Sequence, residues 1–171
     1  ENQFGVGDVI RLEPTISGVV ERMTLRVVVL RDTYGVVHVV PNGEIKRVSN
    51  LTRTWARAVL DVGVAHSEDA DRVMEVMREV GRELWEDEAW RPLLVDEVEV
   101  PGIESITDAA VNVRIMVKTL PLKQWDVARE LRRRLKRRFD AEGIETPSPH
   151  YNLYLRDGEQ LPAAANPPER A

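Results

Sequence analysis

The sequence predicts a small barrel of short β-strands followed by an α+β domain of the ferredoxin-like split type, and two observations carry this. From residue 8 to about 51, β-prone runs alternate with turn residues and no amphipathic helical pattern interrupts them. From about residue 58 the order of patterns becomes β-α-β-β-α-β, the order of that split unit. Residues 52–58, with Arg53, Trp55 and Arg57 between two strand-like runs, form the expected joint. The expected domains are 1–52 and 53–156, with 157–171 a flexible tail.

In the first part, strands are expected at 8–13, 17–23, 25–31, 35–40 and 45–51. Gly7-Asp8 precedes the first, Ser17-Gly18 opens the second, and Asp32-Thr33-Tyr34-Gly35 joins the third to the fourth. These are residue types that take up turn conformations readily. Short strands at this spacing are typical of a small barrel. Pro41 has no N–H and cannot continue a central strand, while Asn42 and Gly43 tolerate positive φ, so Pro41-Asn42-Gly43 reads as a tight turn.

The second part begins with a strand at 58–65 and a helix at 68–88. Ala70, Val73, Met77, Val80 and Leu84 recur at helical spacing; Ser67 is available as N-cap, with Glu68, Asp69 and Asp71 at the positive end of the helix dipole. Strands follow near 94–100 and 109–118. In the latter, Val111, Val113, Ile115 and Val117 alternate with Asn112, Arg114, Met116 and Lys118, a half-buried pattern whose wet face meets solvent or another chain. The second helix, at 122–141, has the apolar stripe Val127, Leu131, Leu135 and Phe139, with Gly143 placed for a left-handed cap and Ile144 packing back. A last strand is expected at 151–156, before a small, polar, Pro-rich tail.

Totals narrow the function classes. Hydrophobic residues are 43% and charged residues 31%, the balance of a folded globular chain. No apolar run approaches the roughly 20 residues that span a bilayer. The first residue is Glu1, so the sequence reads as a piece of a larger protein. With no cysteine, disulfides and thiolate chemistry are excluded. A net charge of −5 disfavours a nucleic-acid backbone as main partner.

Nothing reads as catalytic. His38, His66 and His150 have no second ligand at metal-binding spacing, so neither metal nor cofactor is expected. Gly5-Val6-Gly7 lacks the third glycine and the following helix of a dinucleotide loop. Glu97 and Glu99 share one strand face, usually a solvated arrangement, and no serine has the elbow context of a nucleophile. Arg129, Arg132, Arg133, Arg134, Lys136, Arg137 and Arg138 cover the second helix on all but its apolar stripe, without aromatics to stack bases, and read as a solvated or intersubunit face.

Taken together, "FGVGDVIRL", "SGVVERMTLRVVVLRDTYGVVHVVPNGEI" and "VSNLTR" resemble the mechanosensitive channel of small conductance (MscS) family. The matching residues are Phe4, Gly7 and Asp8 in the opening; Gly18, Val20 and Met23 in the next step; then Val39 or Val40, Pro41, Asn42 and Ile45, and the closing Asn50. "GVAHSEDADRVMEVM" and "VARELRRRLKRRFDAEGIETPSP" extend the likeness, which runs from about Phe4 to Arg156. The resemblance implies a small Sm-like (SH3-like) β-barrel and an αβ domain that together form the cytoplasmic vestibule of an osmotically gated ion channel. It implies identical subunits, typically seven, around a cage with lateral portals for ions and small osmolytes. It places the vestibule at the cytoplasmic face of a prokaryotic inner membrane, reaching the membrane only through N-terminal helices outside this sequence.

By the same resemblance Asn42 and Asn50 have structural roles, Arg53 and Arg57 are candidate portal-lining residues, and the last strand, "YNLYLR", joins its equivalents from other chains. The tail after Arg156 lies outside the shared pattern, and with the pore helix missing no gating residue carries over. Two readings from other classes stand beside this one. One is a stand-alone RNA-binding or scaffold protein with an Sm-like barrel; the other is a small-molecule sensor using the ferredoxin-like part.

Overall fold

The computed structural model describes residues 3–13 and 15–147. The expected strand at 151–156, His150 and the tail lie outside the described residues.

Five strands form the first sheet: β1 (Val9–Leu12), β2 (Ile16–Met23), β3 (Val27–Arg31), β4 (Val37–Pro41) and β5 (Val48–Asn50). The order β4-β3-β2-β1-β5 is antiparallel throughout and leaves β4 and β5 at its two edges. A bulge between Val20 and Arg22 bends β2, as curling a small sheet around its core requires. That core is Ile10, Leu12, Val20, Val28, Leu30 and Val40, with Phe4, Ile16, Ile45 and Val48 at its margin. The last strand begins at Val48, later than the expected 45, because Asn42–Glu44 forms a 3-10 turn and Ile45 leaves the ladder to pack on the core.

The second sheet holds β6 (Ala56–Val64), β7 (Glu99–Ile106) and β8 (Val111–Thr119) in the antiparallel order β6-β8-β7. Helices α1 (Ala70–Glu86) and α2 (Gln124–Glu142) cover one face of it. The alternation in β8 falls as its sequence dictates: Val113, Ile115 and Val117 are buried under the helices, while Asn112, Arg114, Met116 and Lys118 stay half-buried on the other face. Both helix stripes meet that core, through Val73, Met77, Val80 and Leu84 and through Val127, Leu131, Leu135 and Phe139. Gly81 is needed here, since a Cβ would sit 2.9 Å from the Val98 side chain.

Two local expectations are corrected. The N-cap of α1 is Asp69, not Ser67: its carboxylate accepts from the N–H groups of Asp71 (2.9 Å) and Arg72 (3.4 Å). Glu68 instead accepts from the N–H of Glu145 at 2.7 Å. The strand expected at 94–100 is β7, displaced to Glu99–Ile106, and it contains Pro101 and Gly102. The strand accommodates both at a sheet edge, through a register shift between Glu99 and Gly102. By contrast, Gly143 takes the expected left-handed cap at φ 67°, and Ile144 is buried behind it.

The arginines of α2 are mostly paired. Arg129 meets Asp126, Lys136 meets Asp140, and Arg138 meets Glu79, Glu83 and Glu142. The buried Glu130 accepts from Arg133 at 2.8 and 2.6 Å and from Arg134 at 2.7 Å, and Arg134 reaches on to Asp87. Hydrogen bonding by Arg133 holds the Glu130 carboxyl below its ordinary value of 4.5, outweighing burial. A carboxylate depressed on folding contributes stability that is full above 4.5 and fades as pH falls through the depressed value. Glu130→Gln is expected to lose about 1 kcal/mol at pH 7 and to flatten the acid limb below pH 4.5, in urea unfolding followed from pH 7 to 3.

Candidate functional site

Several motif residues converge at one corner of the first sheet. Phe4 packs at the margin of the core, and the chain then turns, with Gly7 at φ 94°, a conformation that suits glycine. The N–H of Gly5 donates to Asp8 Oδ2 at 2.9 Å, and the N–H of Asp8 returns to the Gly5 carbonyl at 3.2 Å. Gly7 and Asp8 then pair with Val20 through two 2.9 Å backbone bonds, tying the turn to β2.

Asn50 closes this corner. Its Nδ2 donates to Asp8 Oδ2 (2.9 Å) and to the Gln3 carbonyl (3.3 Å), while its Oδ1 accepts from the N–H of Thr52 at 3.0 Å. Thr52 Oγ1, in a residue only 4% exposed, accepts in turn from the N–H of Val9 at 3.0 Å. One amide therefore links the segment before β1, the start of β1 and the exit from β5.

Gly18 serves close approach. A Cβ there would lie 2.5 Å from the Arg31 carbonyl oxygen and 2.7 Å from its carbon. Pro41 and Asn42 sit apart from Asn50, where β4 ends. Pro41 pairs with Val27 on an edge strand, where its missing N–H is tolerated. Asn42 donates from its backbone to Arg26 O (2.8 Å) and from Nδ2 to Thr24 O (3.0 Å), fastening the 3-10 turn to the β2–β3 hairpin.

Arg53 and Arg57 part company. Arg53 Nη1 donates to the Gln3 carbonyl at 3.2 Å, beside Asn50. Arg57 lies on the open face of the second sheet, directly opposite Lys118 in register. Like charges opposed in this way repel. The Trp55 ring lies 5.4 Å from the Arg57 guanidinium and 5.3 Å from the Lys118 ammonium, and its π-face offsets part of that cost. Farther along the face, Asp61 holds Arg114 by two bonds of 2.7 and 2.9 Å, which draws the Asp61 carboxyl below its ordinary range.

Thr52 joins this arrangement without having stood out in the sequence, whereas Trp55 and Lys118, expected only in the joint and on the wet face of β8, join it as neighbours of Arg57. Asn50-Leu51-Thr52 is the local signature for the first, since an asparagine that accepts from the N–H two residues on is a common turn device. The other two need the β6–β8 register.

The titratable groups here are held in charge pairs. Resolved carboxylate shifts, at Asp32, Asp61, Asp87 and Glu130, are all downward, each with a hydrogen bond from histidine or arginine as the first cause. Such groups are charge-paired and not poised to exchange protons near neutrality. His38 Nε2 sits 3.0 Å from Asp32 and His66 Nε2 sits 2.8 Å from the Thr107 carbonyl. Among the described residues no group of three His, Cys, Asp or Glu side chains could hold a metal. No described helix is long and apolar enough to cross a membrane.

Comparison with known proteins decides the family. Residues 1–53 match the model of the mechanosensitive ion channel beta-domain, and residues 58–146 match the model of the mechanosensitive ion channel MscS C-terminal region. The chain belongs to the MscS family. A small-conductance mechanosensitive channel of Caldanaerobacter subterraneus is 35% identical over 157 residues, covering 92% of this chain and 54% of that protein. The moderate conductance mechanosensitive channel YbiO of Escherichia coli is 33% identical over 168 residues, covering 98% of this chain and 22% of that protein. The chain thus spans about half or less of the length of these MscS relatives. In fold it resembles Helicobacter pylori MscS in its closed state, with a TM-score of 0.73 at 23% identity, over 91% of this chain and 60% of that one. Arabidopsis thaliana MSL1 follows at 0.61 and 14% identity, over 86% of this chain and 54% of that one.

Within this MscS chain, Asn50→Ala removes both halves of the amide bridge and leaves Asp8 and Thr52 short of partners. The expected loss is about 1–3 kcal/mol, read as a lower urea midpoint at unchanged slope.

Proposed function

We propose that the chain is the vestibule of an MscS-type channel. Identical subunits, seven in the intact protein, form a cage whose lateral portals pass ions and small osmolytes when the attached pore opens under tension. The small β domain at 1–52 surrounds the axis, the αβ domain at 53–156 forms the wall, and residues 157–171 are a tail. The cage sits at the cytoplasmic face of a prokaryotic inner membrane, held by membrane helices outside this sequence, and it performs no catalysis.

The single observation that carries this reading is that the two MscS models together cover residues 1–53 and 58–146. The first sheet adds a physical reason for a ring. Among the described residues β4 and β5 each have one unpaired edge, at opposite sides of the sheet. Unpaired strand edges invite pairing with another chain, and an edge-to-opposite-edge contact repeats head to tail until it closes. Asn42 matters because it fastens the chain just beyond β4. An RNA partner has less support, since the net charge is −5 and most cations of α2 are already paired.

Native mass spectrometry of the 171-residue chain is expected to find one closed oligomer. In Asn42→Ala the oligomer dissociates at about tenfold higher concentration, with the fold retained by circular dichroism; equal assembly would remove the role of Asn42. Arg53 and Arg57 bring positive charge to the junction of the two domains and favour anions at a portal there. In the intact channel, Arg53→Glu with Arg57→Glu is expected to move the reversal potential in a salt gradient toward cation preference. An unmoved potential takes these two residues off the ion path.

A further inference from the structure

The stretch between the two sheets concentrates backbone strain and unmet hydrogen bonding. Among the described residues only Thr54 (φ 68°) and Leu122 (φ 69°) carry side chains at positive φ, and both lie at the junction. Thr54 is on the covalent joint, where the N–H of Trp55 donates to the Arg53 carbonyl at 2.7 Å. This is a γ-turn with a positive-φ centre, the rarer and more strained form, on a β-branched residue. Leu122 follows Pro121 in a turn closed by Lys123 N–H to Leu120 O at 3.2 Å, a position that ordinarily takes glycine or asparagine.

Independent observations fall at the same place. The described buried side-chain atoms that lack a hydrogen-bond partner are Thr119 Oγ1 and Gln124 Oε1, on either side of the Leu122 turn. Such groups in a folded protein call for an explanation. Little fastens the units to each other: Gln124 Nε2 reaches the Leu51 carbonyl only at 3.5 Å, and among the described residues no ion pair crosses the junction. A groove of about 530 Å³ remains open, with Val19 and Leu51 beside Arg11 and Arg31 on one wall and Leu122 and Trp125 beside Arg129 on the other. Val19, Leu122 and Trp125 are 40%, 45% and 41% exposed.

We propose that this joint is a two-position hinge. In the arrangement described here the groove is open and Thr54 carries the strain. In the second, rotation at Thr54 to negative φ swings the start of α2 so that Leu122 and Trp125 close over Val19 and Leu51. Burial of that apolar surface and release of the Thr54 strain favour closure, while the approach of Arg129 to Arg11 and Arg31 across the groove opposes it and keeps both arrangements populated. The hinge rests on the geometry of the joint alone, so it and the channel reading can fail separately.

The absence of cysteine allows clean spin labelling at Leu25→Cys, on the exposed β2–β3 hairpin, and Arg82→Cys, on the exposed side of α1. In the full 171-residue chain, mixed with excess unlabelled chain to isolate intrachain distances, pulsed electron resonance is expected to give two distances. Thr54→Gly, which removes the penalty on positive φ, raises the open fraction relative to the closed by about fivefold or more. Trp125→Ala, which removes apolar contact without touching the joint, shifts the ratio the same way. Should thermal melts show Thr54→Gly misfolded, Thr54→Asn replaces it, because asparagine also tolerates positive φ. A single distance, or two whose ratio Thr54→Gly (or its Asn replacement) or Trp125→Ala leaves unmoved, overturns the proposal.

Discussion

The carboxamide of Asn50 is the constraint on which the β unit depends. That unit has a thin core, six buried side chains with four more at the margin, and a small core leaves little margin against chain entropy. Polar closure supplies what the core cannot. Asn50 uses both ends of its amide, binding Asp8 and Gln3 with one and Thr52 with the other, and Thr52 passes the connection to Val9. The entry and exit of the sheet are thereby fixed to each other.

The αβ unit solves the same problem differently. Its helices lay continuous apolar stripes on one face of a three-stranded sheet, and the resulting core is larger. Apart from the buried Glu130, held by Arg133 and Arg134, its charge lies on the outside, where much of it is paired within the chain. On the open sheet face Arg57 and Lys118 oppose each other, moderated by Trp55 and by Asp96, which pairs with Lys118 at 2.7 Å.

Most of the architecture was legible because it follows period and punctuation. The alternation in β8 and the stripes of both helices are local patterns, and Gly143 ends α2 as its position implies. What stayed hidden depends on partners distant in sequence. Ser67 and Asp69 are equally good caps on paper, and the chain resolves the choice by engaging Glu68 with Glu145 and leaving Asp69 to face the first turn. The residues 99–106 hide a strand behind Pro101-Gly102, since a proline and a glycine are acceptable only where no second neighbour needs the ladder. The motif residues could be named from the sequence, but their grouping could not: Asp8 and Asn50 touch across 42 positions, while Asn42 works elsewhere.

The irregular β7 gives the second sheet a direction of growth. It carries a proline, which has no N–H to donate, and its pairing with β8 shifts register twice, so its outer edge offers an approaching extended chain an interrupted row of donors and acceptors. The opposite edge, β6, is nine residues long and pairs in unbroken register with β8. Runaway polymerisation through both margins is therefore blocked at one of them, and any further strand this sheet recruits is directed to a single side.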